Sequence, residues 1–305
     1  MVLHWLVIFS IKYYNLVSLQ KKIAVVIVLH GYIIGLMENN LYSLCKQFKT
    51  DKLEIGHVEY YESYFKPLRY EKLNILEIGV FRGNSIKVWS EYFANSTIIG
   101  IDIEKIDVSI FNSNKKNIEI HQGSQNDKEF LDKIISKYTK FDIIIDDGSH
   151  YPKDVIRSFK ILFPALDLNG LYFIEDMQTS YNHFFHGNAF DLKYSNTHMN
   201  FFKHLTDSLN YQEIANPFYK KNVFDSKIKS ISFYHNLVVV KKGLNNQESN
   251  IVFNNSYEKK LYLERVKQKG KTRFRYIFKY LIILRFYTFL LYFLNLLKKI
   301  ILFRY

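Results

Sequence analysis

The stretch LNILEIGVFRGNSIKVWSEYF (73–93), followed by TIIGIDI (97–103), decides the architecture. A short apolar run ends in Gly79, a turn carries a second glycine at Gly83, and an amphipathic segment over 84–94 leads to another apolar run ending near Asp102. Runs this short fit buried strands, and the intervening segment is long enough for a helix that crosses back over them. Working outward, the alternation repeats. Candidate strands are NIEIHQ (117–122), FDIIID (141–146) and GLYFIED (170–176), with helical patterns near 126–138, 152–166 and 197–210. Alternating β and α segments of this kind specify a mainly parallel sheet covered by helices.

Two further runs, KSISFY (229–234) and LVVVKKG (237–243), sit two residues apart. So short a connection forces them antiparallel. The expected fold is therefore α/β: a Rossmann-like, seven-stranded, mostly parallel sheet closed by an antiparallel hairpin, with an amphipathic helical tail behind it. No internal repeat is evident.

With 305 residues, 48% of them hydrophobic and 23% charged, the chain has the material for a real core, and wholesale disorder is excluded. The lone Cys45 can form neither an intramolecular disulfide nor a zinc–thiolate site, which favours a reducing compartment. The net charge of +13 invites a nucleic-acid reading until it is located. Eleven Lys and Arg and no acidic residue lie between Arg265 and Tyr305, whereas the first 264 residues hold 31 basic against 29 acidic side chains. The main body is nearly neutral, so the basic excess belongs to a tail, and no nucleic-acid partner is expected. An AT-rich genome would produce the abundance of Phe, Tyr, Ile, Lys and Asn without any functional cause.

The termini differ from the body. Residues 1–36 are apolar but broken, and their longer run, IAVVIVLHGYIIGL, has 14 residues against the ~20 needed to span a bilayer. With neither a basic leader region nor a small-residue cleavage site, they do not read as a secretory signal. Pattern favours Met37 as the true start, because ENNLYSLCKQFKTDK after it opens a soluble domain. The domain is assigned to 37–245, a linker to 246–270, and a basic apolar tail to 271–305. In that tail Arg275, Arg285, Thr288, Tyr292, Asn295 and Lys299 recur near a period of 3.5, leaving a wide apolar face. Such a helix lies in a membrane interface rather than across it; the competing reading is a helix docked on the domain or on another subunit. A cytoplasmic protein, peripheral on the inner face of the membrane, is expected.

In open α/β sheets ligands bind beyond the carboxyl ends of the strands. The turn after the first strand, Glu77-Ile78-Gly79-Val80-Phe81-Arg82-Gly83, lets the backbone approach a ligand closely. Phe81 occupies the second glycine position of a dinucleotide fingerprint, which argues against NAD. Acidic-x-Gly…Gly at this place resembles the first motif of class I S-adenosylmethionine-dependent methyltransferases. Asp102 ends the second strand, where a carboxylate can accept both hydroxyls of a ribose, and Ser124 lies in the loop where an adenine edge would sit.

The fourth strand ends in Asp146-Asp147-Gly148-Ser149-His150 and the fifth in Glu175-Asp176. Asp147, Glu175 and Asp176 would concentrate like charges, a conflict that a divalent cation removes; all-oxygen ligation suits Mg²⁺, Ca²⁺ or Mn²⁺. His150, beside such a cluster, is a candidate base.

At this point FDIIIDDGSHYPKDVIRSFKILFPALDLNGLYFIEDMQTSY (141–181), with 73–93, ISFYHNLVVVKKG (231–243) and FKTDK…H…Y…YFKPLR (48–69), resembles the macrolide-sugar O-methyltransferases of the macrocin and mycinamicin type, with cephalosporin hydroxylase a more distant relative. The likeness covers about 41–243. It implies S-adenosylmethionine and a divalent metal, commonly Mg²⁺, as cofactors. Carried over residue by residue, it places Asp147, Glu175 and Asp176 at the metal and His150 as general base. Glu77, Gly79, Gly83, Asp102, Ser124 and Asp146 fall at the cofactor. The implied acceptor is a hydroxyl of a sugar-containing small molecule or glycan, and a homo-oligomer is compatible with that role. Tyr181–Thr197 reads as the segment covering that acceptor, with His183 and His186 as candidate contacts.

Rival readings are a hydroxylase-like oxidoreductase on the same scaffold and a catalytically inactive, membrane-associated cofactor-binding module. The only His-x-acid, His57-Val58-Glu59, lies upstream of the first strand, apart from the strand-end cleft, which disfavours a non-haem iron triad. The absence of a D/N-P-P-Y/W motif disfavours nucleic-acid methylation.

Overall fold

The computed structural model describes residues 40–111, 117–214, 219–247 and 279–294. The N-terminal extension 1–36, the start at Met37, nearly all of the linker 246–270 and the rest of the tail 271–305 lie outside the described residues. Those described fall into two units: one holds 40–204 and Lys229–Gly243, the other Leu205–Ile228 and the residues after Gly243.

The first unit is built on seven strands: β1 (Asn74–Ile78), β2 (Thr97–Asp102), β3 (Ile118–Gln122), β4 (Phe141–Asp146), β5 (Leu166–Ile174), β6 (Ile228–Tyr234) and β7 (Leu237–Lys242). Their order is β3-β2-β1-β4-β5-β7-β6. The five expected parallel strands pair in parallel, and β7 enters antiparallel beside β5, with Leu171 opposite Lys241. Strand order reverses between β1 and β4, so the loops after these two strands open the crevice in which ligands of such sheets sit.

Helices occupy the expected places, and local chemistry sets their ends. α1 (Leu41–Phe48) is capped by the Asn40 side chain, and α2 (Val58–Phe65) follows a short turn at Asp51–Leu53. α3 (Asn84–Tyr92) begins at Gly83, α4 (Lys128–Tyr138) is capped by Asp127 on two amides, and α5 (Pro152–Leu162) carries Pro152 in its first turn. α5 stops four residues short of the expected end, because Pro164 cannot extend the ladder and sets a tight turn at Phe163–Ala165. β5 accordingly starts four residues earlier than its apolar run suggested, at Leu166, with a register shift against β4. α6 (His198–Leu209) completes the set.

One face of the sheet is covered by aromatics from α1, α2 and α3. Tyr61 stacks on Phe173 with centroids 4.7 Å apart, and Phe65 meets Trp89 edge-on at 5.4 Å. Truncating a buried ring such as Trp89 costs about 3–5 kcal/mol. The structural consequence matters more here. Packing α2 on this face brings the upstream segment 50–61 over the carboxyl ends of β4 and β5.

Residues 279–294 form a helix, α7, exposed along its whole length. Among the described residues no helix is long and apolar enough to cross a membrane.

Candidate active site

The glycine turn after β1 is forced by space. Gly79 has φ +89°, and a Cβ there would lie 2.1 Å from the Asp147 carbonyl oxygen, so β1 and β4 approach where only glycine fits. Gly83 has φ +71° and abuts the Phe111 ring. Phe81 adopts the same left-handed region at φ 49°, with its ring 75% exposed. The turn is held from β2: Asp102 Oδ2 accepts from the Val80 and Phe81 amides at 2.8 and 2.9 Å, and its Oδ1 from Glu104 at 2.9 Å. Asp102 thus shapes the loop as well as facing the ligand side.

A cavity of about 620 Å³ opens at this end of the sheet, and Gly79, Asp102, Ser124, Asp147, His150 and Asp176 are on its wall. Four expected site residues are not. Gly83 sits behind the turn as the helix cap. Asp146, expected at the cofactor, points into the core, where it accepts from Ser158 at 2.6 Å and Gln125 at 3.1 Å. Side chains alternate along a strand, so when Asp147 faces the cavity its neighbour faces away. Glu77 is wholly buried and takes a 2.9 Å bond from Ser85; burial pushes its carboxyl up to about 7, against the pull of Lys52 and Ser85.

Glu175, expected at the metal, is the fourth. Its carboxylate accepts from Lys52 Nζ at 2.5 Å, Tyr61 OH at 2.6 Å and pairs with His57 Nδ1 at 3.1 Å. Burial alone would raise its pKa; Lys52, His57 and Tyr61 outweigh that and bring it down to about 2. The Lys52 ammonium also meets Asp147 Oδ2 at 2.6 Å and stands 3.9 Å from Glu77. Burial acts to discharge it, but the three carboxylates hold its pKa well above the ordinary value. Of the two acids that share Lys52, Glu175 keeps its charge, and Asp147 is pushed well up by burial and by Glu175. Lys52, His57 and Tyr61 were not singled out from the sequence as site residues; His57 reaches Glu175 at the end of β5 but is buried and not on the cavity wall. Glu59, its partner in the His-x-acid pattern, is exposed.

Asp147, His150 and Asp176 do converge. One ligand atom from each lies within 4.8 Å of the others, all three side chains are half-buried, and His150 Nε2 is 3.3 Å from Asp176 Oδ2. The two carboxylates facing a cavity suit a hard divalent cation, and the imidazole beside them is left as a candidate base. Beyond His150 an aromatic wall begins: Tyr151 lies 5.5 Å from Phe185 and 5.2 Å from His186, centroid to centroid. His183 stacks on Phe184 at 4.1 Å instead.

A seven-stranded sheet in this order, with a glycine turn after β1 and an acid closing β2, defines the Rossmann-like methyltransferase class. Residues 57–208 match the model of the FtsJ-like methyltransferase family, and the chain belongs to that family. It is 36% identical over 223 residues to mycinamicin VI 2''-O-methyltransferase of Micromonospora griseorubida, covering 70% of this chain and 55% of that one. It is 34% identical to demethylmacrocin O-methyltransferase of Streptomyces fradiae, covering 68% and 54%. The chain therefore spans about half the length of the curated relatives it matches. Among solved structures, the MycE methyltransferase from the mycinamycin pathway, in complex with Mg and SAH, superposes with a TM-score of 0.66 at 33% identity, covering 76% of this chain and 59% of that one. Its complex with Mg, SAH and mycinamycin VI gives 0.61 at 32%, covering 70% and 57%.

Proposed function

We propose that the chain is an S-adenosylmethionine- and divalent-metal-dependent O-methyltransferase acting on a hydroxyl of a sugar or glycan. The observation that carries this is the convergence of Asp147, His150 and Asp176 on the same cavity that Gly79, Asp102 and Ser124 line. The solved relative was captured with Mg and SAH, and curated relatives carry sugar O-methyltransferase names.

When bound, S-adenosylmethionine supplies an electrophilic methyl group, and Mg²⁺ held by Asp147 and Asp176 supplies Lewis acidity toward the acceptor oxygen. The chain's own groups do the rest. Asp102 and Ser124 orient the cofactor's nucleoside end, and the glycine turn lets its other end lie against backbone. His150, in the tautomer whose Nε2–H is held toward Asp176 Oδ2 at 3.3 Å, accepts the hydroxyl proton at Nδ1, and Asp176 stabilises the imidazolium so formed. General-base assistance of this kind contributes roughly 10²–10⁴-fold. Lys52 keeps Glu175 tied away from the cavity, which leaves Asp147 and Asp176 as the carboxyl groups on its wall. The Tyr151–Phe185 wall offers apolar surface to a sugar ring. Domain 37–245 performs all of these tasks.

Calorimetric titration of S-adenosylmethionine into the full chain, with Mg²⁺ and with EDTA, tests the reading. Low-micromolar binding followed by labelled-methyl transfer to sugar acceptors supports it, and no binding under either condition refutes it.

A peripheral membrane contact on the cytoplasmic side is proposed from α7. Its large apolar residues, among them Leu281, Phe286, Phe289, Tyr292 and Leu294, are 52–70% exposed, with Lys279 and Arg285 beside them. Flotation with anionic liposomes should carry the protein up, and Phe289→Asp should abolish it; flotation unaltered by that substitution contradicts the contact.

A further inference from the structure

Two residues of the metal-facing triad sit in backbone conformations that side chains seldom adopt: His150 at φ 59° and Asp176 at φ 52°. Neither is glycine, and the two are 26 residues apart, yet their side chains must meet. A left-handed residue at the end of a strand persists only where its surroundings hold it. One hydroxyl reaches both backbones. Thr179 Oγ1 is 2.7 Å from the Asp176 carbonyl, which also accepts from the Thr179 amide at 3.0 Å, and 3.1 Å from the His150 carbonyl, so it ties the two together. Thr179 is 5% exposed and is not on the cavity wall.

Behind it stands His198, fully buried at the start of α6, with Nε2 3.4 Å from the same hydroxyl. With its hydrogen on Nε2 it donates to Thr179 Oγ1, which leaves the threonine proton for the two carbonyls. Ser180 Oγ accepts from the Met199 amide at 3.0 Å, so Met177–Tyr181 is anchored to the first turn of α6 at two successive residues.

We propose that Thr179 is a positioning residue: its hydroxyl, seated on His198, pins the backbones of His150 and Asp176 in the strained geometry that brings their side chains together. It touches no reacting atom, and its effect passes through those two residues. The inference rests on the metal-site reading above for its functional meaning, but the geometry it claims is testable without it.

The experiment compares the full chain with Thr179→Val, which keeps the shape and removes the hydroxyl, and Thr179→Ser, which keeps the hydroxyl. Hydrogen–deuterium exchange of peptides covering 147–151 and 175–178 should rise at least tenfold in Thr179→Val and return toward wild type in Thr179→Ser. Peptides covering 74–83 should not change. Mn²⁺ affinity, read by electron paramagnetic resonance, should fall at least tenfold in Thr179→Val and recover in Thr179→Ser, while S-adenosylhomocysteine affinity stays within threefold. Unchanged exchange in Thr179→Val, or a serine variant that fails to rescue, overturns the proposal. If the valine variant does not fold, His198→Gln takes its place with the same expected exchange pattern. A wild-type chain that binds S-adenosylhomocysteine but no Mn²⁺ faults the metal reading alone, and the exchange data still decide the role of Thr179.

Discussion

Glu175 and Asp176 are neighbours in the chain and opposites in the structure. Glu175 lies in a closed nest with Lys52, His57 and Tyr61, its charge fully met by protein donors. Asp176 lies half-open with Asp147 and His150, accepting from Gln178 at 2.9 Å and facing a cavity. Asp146 and Asp147 divide the same way. The lesson is that in each of these acidic pairs one acid is structural and one available: Asp146 closes β4 facing the core, and the left-handed turn at Asp176 sends its side chain away from that of Glu175. A buried charge is tolerable only with its partners in place, whereas a half-exposed one has capacity left for a ligand.

The sharpest way to break this comparison is to empty the nest. Lys52→Met leaves two carboxylates sharing no cation, and urea denaturation should show a loss of about 3–5 kcal/mol. Lys52→Met combined with Glu175→Gln should recover much of it, and a single variant as stable as wild type would mean that the nest is not held by charge. On the open side, His150→Ala should lower turnover by roughly 10²–10⁴-fold while cofactor affinity stays unchanged, measured by initial rates and calorimetry.

Third in size is a pH effect from Glu77. Its folded pKa of about 7 exceeds its ordinary value of 4.5, so between those two pH values the folded chain holds a proton that the unfolded chain has released. The resulting contribution is complete below pH 4.5 and is lost as pH rises through about 7, amounting to about 3 kcal/mol at most. Glu77→Gln should flatten the slope of stability against pH across that window; an unaltered slope assigns the titration elsewhere. The smallest effect calibrates the others. Lys128 and Asp132 form a pair at 2.5 Å, as close as Lys52 and Glu175, but on the surface of α4 with 61% and 49% exposure. Asp132→Ala should cost about 0.3–0.5 kcal/mol and should lose even that in high salt. Equal losses from the two pairs would contradict the contrast between buried and exposed charge.

Much of this was legible in advance, and the exceptions share a cause. Apolar runs and glycine turns located all seven strands, and the two-residue gap at His235–Asn236 identified the hairpin. Strand-end positions brought Asp147 and Asp176 together with His150 beside them, but counted Glu175 in the same cluster, which the structure turns away. What the pattern could not carry was facing. β4 reads Phe141-Asp142-Ile143-Ile144-Ile145-Asp146 and is buried on both sides, so no alternation marks which acid points to the cavity. Lys52, His57 and Tyr61 lie 95 to 123 positions before the acids they bind. Only the packing of α2 on the sheet brings them there. The one signal available was a lysine and a histidine in a segment matching the family, with no chemistry of their own to explain them.

Mn²⁺ titration of the full chain, followed by electron paramagnetic resonance, tests the central claim most directly. One bound ion per chain, lost in Asp176→Asn and retained in the surface variant Asp132→Ala, is the predicted result. A wild-type chain that binds no ion, or an ion whose affinity is untouched by Asp176→Asn, would contradict it.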